Sequence, residues 1–218
     1  MAKNIYLIGI GGIGMSALAR YYNHAGCNVA GYDKTPSKLT HELEIEGIKI
    51  HFEDNTNLIP SIFTENPEDT LVIYTPAVPK EMSELIFFRE NGFNLVKRSA
   101  ALGVIASTKI CLAVAGTHGK TTTSTMLAHI ITHSGIGCTA FLGGISKNYG
   151  TNLLLSKSNF LVAEADEFDR SFLQLYPESA VITSTDADHL DIYSTHEHIK
   201  EAFRDFALQV TADGYLIS

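Results

Sequence analysis

One stretch decides the fold: Cys111-Leu112-Ala113-Val114-Ala115-Gly116-Thr117-His118-Gly119-Lys120-Thr121-Thr122-Thr123. Its apolar first half predicts a buried strand, and the strand passes directly into a glycine-spaced turn that ends Gly-Lys-Thr. That order predicts a phosphate-binding loop followed by a helix. The usual spacing G-x-x-x-x-G-K-[ST] has a glycine at position 114, where this chain has Val114. The match is therefore to a shorter loop, and the flanking strand and helix support it more than the pattern does.

The residue types of this loop suit the phosphates of a nucleotide. Backbone N–H groups of the turn and the positive end of the following helix would hold the β- and γ-phosphates. Lys120 would add a positive charge, which makes it the candidate catalytic residue, and Thr121 would offer a hydroxyl to Mg²⁺. The candidate nucleotide-binding residues are Gly116, Thr117, His118, Gly119, Lys120, Thr121 and Thr122.

A second glycine motif lies near the N-terminus. The apolar run Asn4–Ile8 leads into Gly9-Ile10-Gly11-Gly12-Ile13-Gly14, and a segment with helical spacing follows. A further strand at 28–32 ends in Asp33, where a carboxylate would meet a ribose hydroxyl. Strand, turn, helix and acid together predict a mononucleotide-binding half-fold. The alternative is a glycine turn that serves packing alone.

Strands and helices continue to alternate along the chain, which predicts an α/β fold with parallel sheets and right-handed crossovers. We expect a Rossmann-like parallel-sheet domain at residues 1–106 and a phosphate-loop α/β domain at residues 107–218. The second domain is expected to be incomplete, because the chain stops inside a strand candidate at 215–217. The remaining predicted elements are helices at 37–46, 82–91, 99–106, 121–133 and 195–210, and strands at 48–50, 71–74, 94–96, 110–115, 138–142, 159–163 and 180–184.

Polar residues follow several of these strands, where ligands of parallel sheets bind. In the first domain, Thr75 follows the strand at 71–74 and Arg98 follows the strand at 94–96. Arg98 could reach an anionic ligand group, and it is explained equally well as a solvated charge at a helix start.

In the second domain, the strand at 159–163 leads into Glu164, which is best placed to face a nucleotide-bound metal ion. For the other carboxylates of this turn, a solvated acidic turn is nearly as good an explanation. His129 and His133 lie four residues apart on a helix, but their apolar setting without an acidic partner favours no metal role. Two aspartates and a histidine follow the next strand, in Asp188-His189-Leu190-Asp191. A capping box that would open the next helix is predicted at Ser194 to Glu197.

Composition limits the classes of function. The 218 residues are 45% hydrophobic and 18% charged, which indicates a globular chain long enough for two domains. A net charge of −8 and a pI near 5.5 argue against a nucleic-acid surface. Cys27, Cys111 and Cys138 have no paired spacing and are expected to be reduced.

No signal peptide or membrane-spanning run is recognised, so we expect a cytoplasmic protein without membrane insertion. The sequence leaves the oligomeric state open.

Four motifs together are similar to those of the bacterial Mur ligase family: Gly-Ile-Gly-Gly-Ile-Gly-Met-Ser at 9–16, Ala-Gly-Thr-His-Gly-Lys-Thr-Thr-Thr at 115–123, Glu-Ala-Asp-Glu-Phe-Asp at 164–169 and Asp-His-Leu-Asp at 188–191. The resemblance spans the chain in the right order. It implies a three-domain enzyme, of which this chain would supply the first domain and roughly half of the second.

The resemblance also implies a reaction and its ligands. ATP would activate the carboxylate of UDP-N-acetylmuramate, and the amine of L-alanine would attack the acyl phosphate. Thr121 and Glu164 would hold one Mg²⁺ and His189 another, although histidine departs from the oxygen preference of that ion. The implied UDP-sugar site contains Gly11, Gly12, Ile13, Gly14, Met15 and Ser16, to which the pattern adds Asp33, Thr75 and Arg98.

Three alternatives remain at this stage. A related ligase joins a recycled peptide to the same UDP-sugar, but its substrate loop differs from the one at 9–16. A non-catalytic UDP-sugar or dinucleotide-binding module would share the first domain, and a redox enzyme would use the same glycine loop for NAD. The residues themselves do not separate UDP-sugar from NAD, because Asp33 suits the ribose of either.

Overall fold

The computed structural model describes residues 2–186 and 196–218. Contacts within the chain divide it into two compact units, one ending at Ala101 and the other beginning at Leu102. Helix α4 (Arg98–Ala106) spans this division. The domain boundary at 106/107 remains a prediction, since α4 ends there and contributes residues to both units.

The first unit is a five-stranded parallel sheet with helices in the crossovers. The strand order is β3-β2-β1-β4-β5. Short 3-10 turns lie at Thr56–Leu58 and Ser61–Phe63. The regular elements are β1 (Asn4–Ile8), α1 (Ile13–His24), β2 (Asn28–Tyr32), α2 (Lys38–Ile45), β3 (Lys49–His51), β4 (Thr70–Tyr74), α3 (Ser83–Glu90) and β5 (Asn94–Lys97).

The strand order places the two predicted ligand loops of this unit side by side. Every residue of β1 is buried, as expected for a central parallel strand covered on both faces. The order reverses between β1 and β4, and Ile8 pairs with Tyr74 at their carboxyl ends. Gly9 and Thr75 therefore begin neighbouring loops at the switch point, where open α/β sheets bind ligands.

The second unit contains a six-stranded mixed sheet in the order β11-β10-β6-β9-β7-β8. All its strand pairs are parallel except β7 with β8. A 3-10 helix covers Phe168–Gln174. The regular elements are β6 (Ile110–Ala115), α5 (Lys120–His133), β7 (Thr139–Ser146), β8 (Thr151–Leu154), β9 (Phe160–Glu164), β10 (Ser179–Ile182), α6 (His196–Ala207) and β11 (Leu216–Ile217).

The α/β class and the parallel arrangement are confirmed, but one hairpin was not predicted. The sequence indicates that a strand ends before Gly143-Gly144, whereas β7 continues through both glycines to Ser146 and pairs antiparallel with β8. The register shifts between Phe141 and Ser146, so the glycines lie at an irregularity of the ladder rather than at its end. Helix α6 ends at Ala207, before the expected Val210.

Each unit has its own apolar core. Tyr6, Ile8, Val72, Leu85 and Phe88 form the centre of one, and Ala128, Cys138, Ala140, Leu142 and Val162 form the centre of a cluster in the other. The three cysteines are free thiols. Within the described residues, none of the helices is both long and apolar enough to span a bilayer.

A polar cluster is buried in the first core. The Tyr6 hydroxyl donates to Glu84 Oε2 at 2.7 Å and lies 2.8 Å from His51 Nε2. His51 Nδ1 donates to the Glu53 carbonyl at 2.9 Å, so Nε2 of the neutral ring has no proton. Nε2 lies 3.3 Å from Glu84 Oε1. Burial, with the Asp54 carboxylate adding to it, raises the pKa of Glu84 to about 7, and burial lowers that of His51. Glu84 therefore binds a proton below about pH 7.

This cluster predicts a pH-dependent stability. The folded chain binds a proton at Glu84 up to about pH 7, whereas the ordinary pKa of the group is 4.5. Its contribution is complete below the ordinary value and is lost as pH rises through the folded value. Between about pH 5 and about pH 8, we expect wild type to lose on the order of 2 kcal/mol of unfolding free energy relative to Glu84→Gln.

Urea unfolding at the two pH values measures this difference. Glu90→Gln is the matched control, because Glu90 is an exposed glutamate on the same helix, α3. Its unfolding free energy should follow that of wild type at both pH values. Parallel pH dependence in wild type and Glu84→Gln would contradict the assigned proton.

Candidate functional site

The phosphate-loop candidate lies between two strand exits. Strand β6, which precedes the loop, pairs with β9 on one edge and with β10 on the other. Val114 lies opposite Glu164, and Ala115 lies opposite Ile182. Because parallel strands end at the same edge of a sheet, the residues after all three strands converge around the loop.

The segment after β10 fixes the path of the loop. Thr117 N donates to Ser184 O at 3.0 Å, and His118 N donates to Ser184 Oγ at 3.0 Å. The Thr183 hydroxyl donates to Ala115 O at 3.1 Å and also to the His118 carbonyl. The sequence predicts Thr183 and Ser184 at the end of a strand, whereas β10 ends at Ile182. Hydroxyl residues at the exit of a parallel strand were the available signal for their role.

Lys120 begins helix α5 and turns back over the loop. Its Nζ donates to Gly116 O at 2.6 Å and to Glu167 Oε1 at 2.9 Å, with Glu167 Oε2 at 2.8 Å. The Glu167 side chain is 1% exposed and that of Lys120 is 15% exposed. Glu167 is therefore not part of a solvated acidic turn, which the sequence left as a nearly equal explanation. Its pairing with the loop lysine was not predicted.

Thr121 and Glu164 form the predicted pair of oxygen ligands. Thr121 Oγ1 donates to Glu164 Oε1 at 3.1 Å, while Gly143 N donates to Oε2 at 3.0 Å and Ser124 Oγ approaches Oε2 at 3.4 Å. A hydroxyl that gives its proton to a carboxylate keeps its lone pairs for a cation, and both groups are hard oxygen donors. The pair fits one Mg²⁺. The amide of Gly143 is an orienting contact that sequence analysis missed.

The second predicted metal ligand, His189, lies outside the described residues, as do Asp188 and Asp191. Over residues 2–186 and 196–218, no group of three or more His, Cys, Asp or Glu side chains is arranged to hold a metal ion. His129 Nδ1 lies 2.9 Å from the Tyr149 hydroxyl, which gives that histidine a structural partner. Of the other loop residues, Gly119 caps α5 and Thr122 is exposed in its first turn.

The first unit contains a cleft of about 690 Å³ at the switch point of its sheet. Predicted residues that line it are Gly11, Gly12, Asp33 and Thr75. Residues that were not predicted also line it, among them Tyr32, Lys34, Thr35, Ser37, Asp54, Ala77, Val78, Pro79, Glu81 and Met82. Lys34 supplies a positive charge beside the glycine loop, and residues 77–79 form an apolar wall. A cleft of this size that combines an apolar wall with polar groups is typical of a small-molecule site.

Asp33 ties the glycine loop to the end of β2. Its Oδ2 accepts from Gly11 N at 2.7 Å, and its Oδ1 accepts from Thr35 N at 3.1 Å. Each carboxylate oxygen can accept a further hydrogen bond, so contact with a ribose hydroxyl remains compatible with this arrangement. The predicted ribose contact stays a prediction, and the observed role of Asp33 is to shape the loop.

Arg98 reaches the same loop from the start of α4. A Cβ on Gly14 would lie 2.4 Å from Arg98 Nη1, so only glycine leaves room for the guanidinium there. Ile13 and Gly14 open helix α1, and Ser16 N is hydrogen-bonded to Gly12 O at 2.8 Å. Met15 and Ser16 have buried side chains. Positive charge and a helix N-terminus therefore meet at this loop, which favours an anion.

Two family models match successive parts of the chain. The model of the "Mur ligase family, catalytic domain" matches residues 4–110, and that of the "Mur ligase middle domain" matches residues 114–218. Together the two matches account for nearly the whole chain.

The chain belongs to the Mur ligase family.

Curated relatives of this Mur ligase chain are UDP-N-acetylmuramate–L-alanine ligases. The one from Flavobacterium psychrophilum is 60% identical over 95% of this chain and 46% of the relative's length. The one from Porphyromonas gingivalis is 56% identical over 99% of this chain and 47% of the relative's length. The chain thus spans about half the length of the curated relatives it matches.

Two solved structures extend the comparison. UDP-N-acetylmuramate-alanine ligase from Thermotoga maritima matches with a TM-score of 0.86 and 30% identity, over 97% of this Mur ligase chain and 48% of that chain. UDP-N-acetylmuramate:L-alanyl-gamma-D-glutamyl-meso-diaminopimelate ligase from Neisseria meningitides matches with a TM-score of 0.89 and 27% identity, over 99% and 71%. The fold is therefore shared with ligases that differ in the group they join to UDP-N-acetylmuramate.

The tight contact between β7 and β9 predicts the effect of Gly143→Ala. A Cβ at position 143 would lie 2.2 Å from Glu164 Oε1, so the carboxylate would have to leave its position beside Thr121. We expect Mg²⁺-dependent nucleotide binding to weaken ~10-fold or more, as when other ligand-orienting contacts are lost. Calorimetric titration of the full-length protein with ADP, at several Mg²⁺ concentrations, measures the change.

Gly144→Ala is the matched control, because the nearest atom that its Cβ would meet is Thr121 Cγ2, at 3.3 Å. We expect it to have a smaller effect than Gly143→Ala. If the two variants bind Mg²⁺ and nucleotide equally well, Gly143 does not orient Glu164 for the metal ion.

Proposed function

We propose that this chain is the N-terminal half of an ATP-dependent ligase that joins L-alanine to UDP-N-acetylmuramate. The observation that carries the proposal is the pairing of two anion sites in one chain: the glycine-loop cleft of the first unit and the phosphate loop of the second. Relatives with 51–60% identity and the name UDP-N-acetylmuramate–L-alanine ligase support the choice of substrates. The proposal places the protein in the cytoplasm, where ATP is available.

The proposed reaction has two steps. A carboxylate oxygen of UDP-N-acetylmuramate attacks the γ-phosphorus of ATP, so that an acyl phosphate forms and ADP leaves. The L-alanine amine then attacks the acyl carbon, and the tetrahedral intermediate expels inorganic phosphate while the amine loses a proton. The first step is necessary because a free carboxylate is a poor electrophile.

The second unit would bring two anions together, the carboxylate and the γ-phosphate. Lys120 would bind phosphate oxygens and stabilise the charge that they carry during transfer. The amides of residues 116–122 would hold the phosphates at the N-terminus of α5. Thr121 and Glu164 would hold the Mg²⁺, which supplies charge neutralisation on the phosphates. The proposed second-ion role of His189 falls outside the described residues.

The first unit would bind the UDP part of the substrate. Its diphosphate would lie on the glycine loop at 11–14 and the opening turn of α1, with Arg98 beside Gly14 as the countercharge. Asp33 and Thr75 line or shape the same cleft and would contact the ribose and adjoining groups. This assignment of residues 1–106 to the UDP-sugar and of residues 107–218 to ATP is part of the proposal.

The second candidate is a ligase that adds a recycled peptide to UDP-N-acetylmuramate. The high TM-score to the Neisseria meningitides ligase favours it, but the sequence identity of that protein, 27%, is far below the 60% of the curated alanine ligase from Flavobacterium psychrophilum. Phosphate release by the full-length protein with L-alanine or with the murein tripeptide separates the two. Release with neither acceptor would overturn both ligase proposals.

A binding module without catalytic activity is tested separately. Titration with UDP-N-acetylmuramate or NADH separates a UDP-sugar-binding module from a dinucleotide-binding one.

Lys120→Ala should separate the two sites in the full-length ligase. We expect turnover to fall ~100-fold or more, as when a preorganised charge-stabilising group is removed. UDP-N-acetylmuramate affinity should remain within ~2-fold, because Lys120 belongs to the second unit and the UDP-sugar cleft to the first. Phosphate release and calorimetry are the two measurements. A large loss of UDP-sugar affinity would contradict the assignment of the two ligands to separate domains.

We also expect that the 218-residue chain alone does not catalyse the reaction. The proposal assigns L-alanine to a domain in the part of the relatives that this chain does not match. Phosphate release by the purified chain, with ATP, UDP-N-acetylmuramate and L-alanine present, checks this expectation. Multiple turnovers would show that the alanine site lies within these residues.

A further inference from the structure

The buried carboxylate of Glu167 has no assigned task in the reaction proposed above. Its side chain is 1% exposed, and it lies next to the loop that would receive a triphosphate. Burying a carboxylate is unfavourable unless a cation and hydrogen bonds compensate it. A second negative charge beside an anion site would also weaken phosphate binding. An uncompensated carboxylate at this position would therefore lower both the stability of the fold and the affinity for phosphate.

Lys120 provides the compensating charge. Its Nζ contacts both Glu167 oxygens, at 2.9 and 2.8 Å, and the Gly116 carbonyl at 2.6 Å. An ammonium group has three N–H donors. One is donated to Gly116 O and one to Glu167 Oε1, while Glu167 Oε2 is an ion-pair contact. The two acceptors therefore set where Nζ lies before any nucleotide arrives, while one N–H remains for a phosphate oxygen.

Glu167 is held by its own segment. The Glu167 carbonyl accepts from Arg170 N at 3.0 Å, and Phe172 N donates to Asp166 O at 2.9 Å. The 3-10 helix that follows packs Phe172 against α6, with its ring stacked on Phe206 at a centroid distance of 4.9 Å. The backbone that carries the carboxylate is thus fixed by hydrogen bonds and by the aromatic packing of the next helix. Its position does not depend on Lys120.

The two acids that follow β9 have different partners. Glu164 accepts from Thr121 and Gly143, which suits a metal-facing carboxylate. Glu167 accepts from Lys120 and is turned into the core. A carboxylate that only balanced the charge of Lys120 would have to keep its charge but not its length. One that sets the position of a catalytic ammonium must keep both its length and its charge.

We propose that Glu167 is a positioning residue that holds the Lys120 ammonium over the phosphate loop, ready for the transferring phosphoryl group. The proposal rests on the ligase function proposed above. The proposal predicts that loss of the carboxylate changes kcat and nucleotide binding in different ways. Without the carboxylate, Lys120 would be less well placed for phosphoryl transfer, which lowers kcat. Nucleotide binding would not weaken, because a negative charge beside the phosphates would be gone.

The test compares Glu167→Gln and Glu167→Asp in the full-length ligase, with phosphate release as the assay. Glutamine keeps the shape and removes the charge, whereas aspartate keeps the charge and shortens its reach. We expect Glu167→Gln to lower kcat ~10- to 100-fold, in the range of mispositioned catalytic groups, while KM for ATP stays unchanged or falls. Glu167→Asp should retain more kcat than Glu167→Gln. Wild-type kcat in Glu167→Gln, or a rise in KM with kcat unchanged, would overturn the proposal.

Glu201→Gln is the matched control, because Glu201 is an exposed glutamate on α6 in the same unit. Its kinetics should equal those of wild type. Thermal unfolding of every variant reports general damage. If Glu167→Gln does not fold, Glu167→Asp carries the test. A fall in its kcat with no rise in KM for ATP supports the proposal, and wild-type kinetics overturn it.

A binding experiment tests the role of Glu167 even if the proposed ligase function is wrong. If the wild-type protein releases no phosphate with any acceptor, the ligase proposal fails. Titration with ADP and Mg²⁺ then still tests whether Glu167 governs Lys120. Lys120→Met should weaken ADP binding in the wild-type background, and by a different factor in the Glu167→Gln background, because coupled residues are not additive. Equal factors in the two backgrounds would show that Glu167 does not position Lys120.

Discussion

The parallel pairing of β6 with β9 on one side and β10 on the other is the constraint on which the second unit depends. Backbone hydrogen bonds fix the three strands in register, and Val114 lies between Val181 and Glu164. Their carboxyl ends therefore reach the same edge at nearly the same level. Each strand supplies a different part of the site: the phosphate loop, the acidic residues, and the hydroxyl groups that hold the loop.

The same rule applies in the first unit with different chemistry. There β1 lies between β2 and β4, and the residues after these strands are a glycine loop, Asp33 and Thr75. In each unit, a carboxylate that follows a neighbouring strand contacts the glycine-rich segment. Asp33 accepts a hydrogen bond from Gly11 N in the first loop, and Glu167 accepts one from Lys120 Nζ, at the start of the helix after the second loop. In both units an acid contacts the loop that is proposed to bind an anion. Such an acid must be committed to N–H donors, or it would repel the ligand.

The sequence predicted the parts of both sites that are local in the chain. Each glycine loop, with its preceding strand and following helix, is contained within about one βα unit, so its residues could be recognised together. The prediction of Glu164 was also possible, because it is the first residue after an apolar run and the rule for strand exits is general. These features depend on short-range order and on one topological rule.

What the sequence could not predict depends on contacts between distant residues. The hydrogen bonds of Ser184 to the loop, and the ion pair of Glu167 with Lys120, join positions far apart in the chain. A run of acids after a strand does not reveal which member turns inward. Gly143 was read as a strand end because glycine usually weakens strands, yet here it admits the Glu164 carboxylate. The antiparallel strand β8 was missed for a related reason, since β7 had been ended too early.

The departure from the usual loop spacing follows from where β6 ends. Val114 is fully buried, it is paired with both neighbouring strands, and its carbonyl accepts from Ala165 N at 2.9 Å. A glycine there would remove a core side chain and weaken the central strand of the sheet. The turn begins only at Gly116, so the strand occupies the position where longer loops carry their first glycine. The shorter loop has fewer residues of its own to fix its path, and the hydroxyl groups of Thr183 and Ser184 supply the missing hydrogen bonds from outside it.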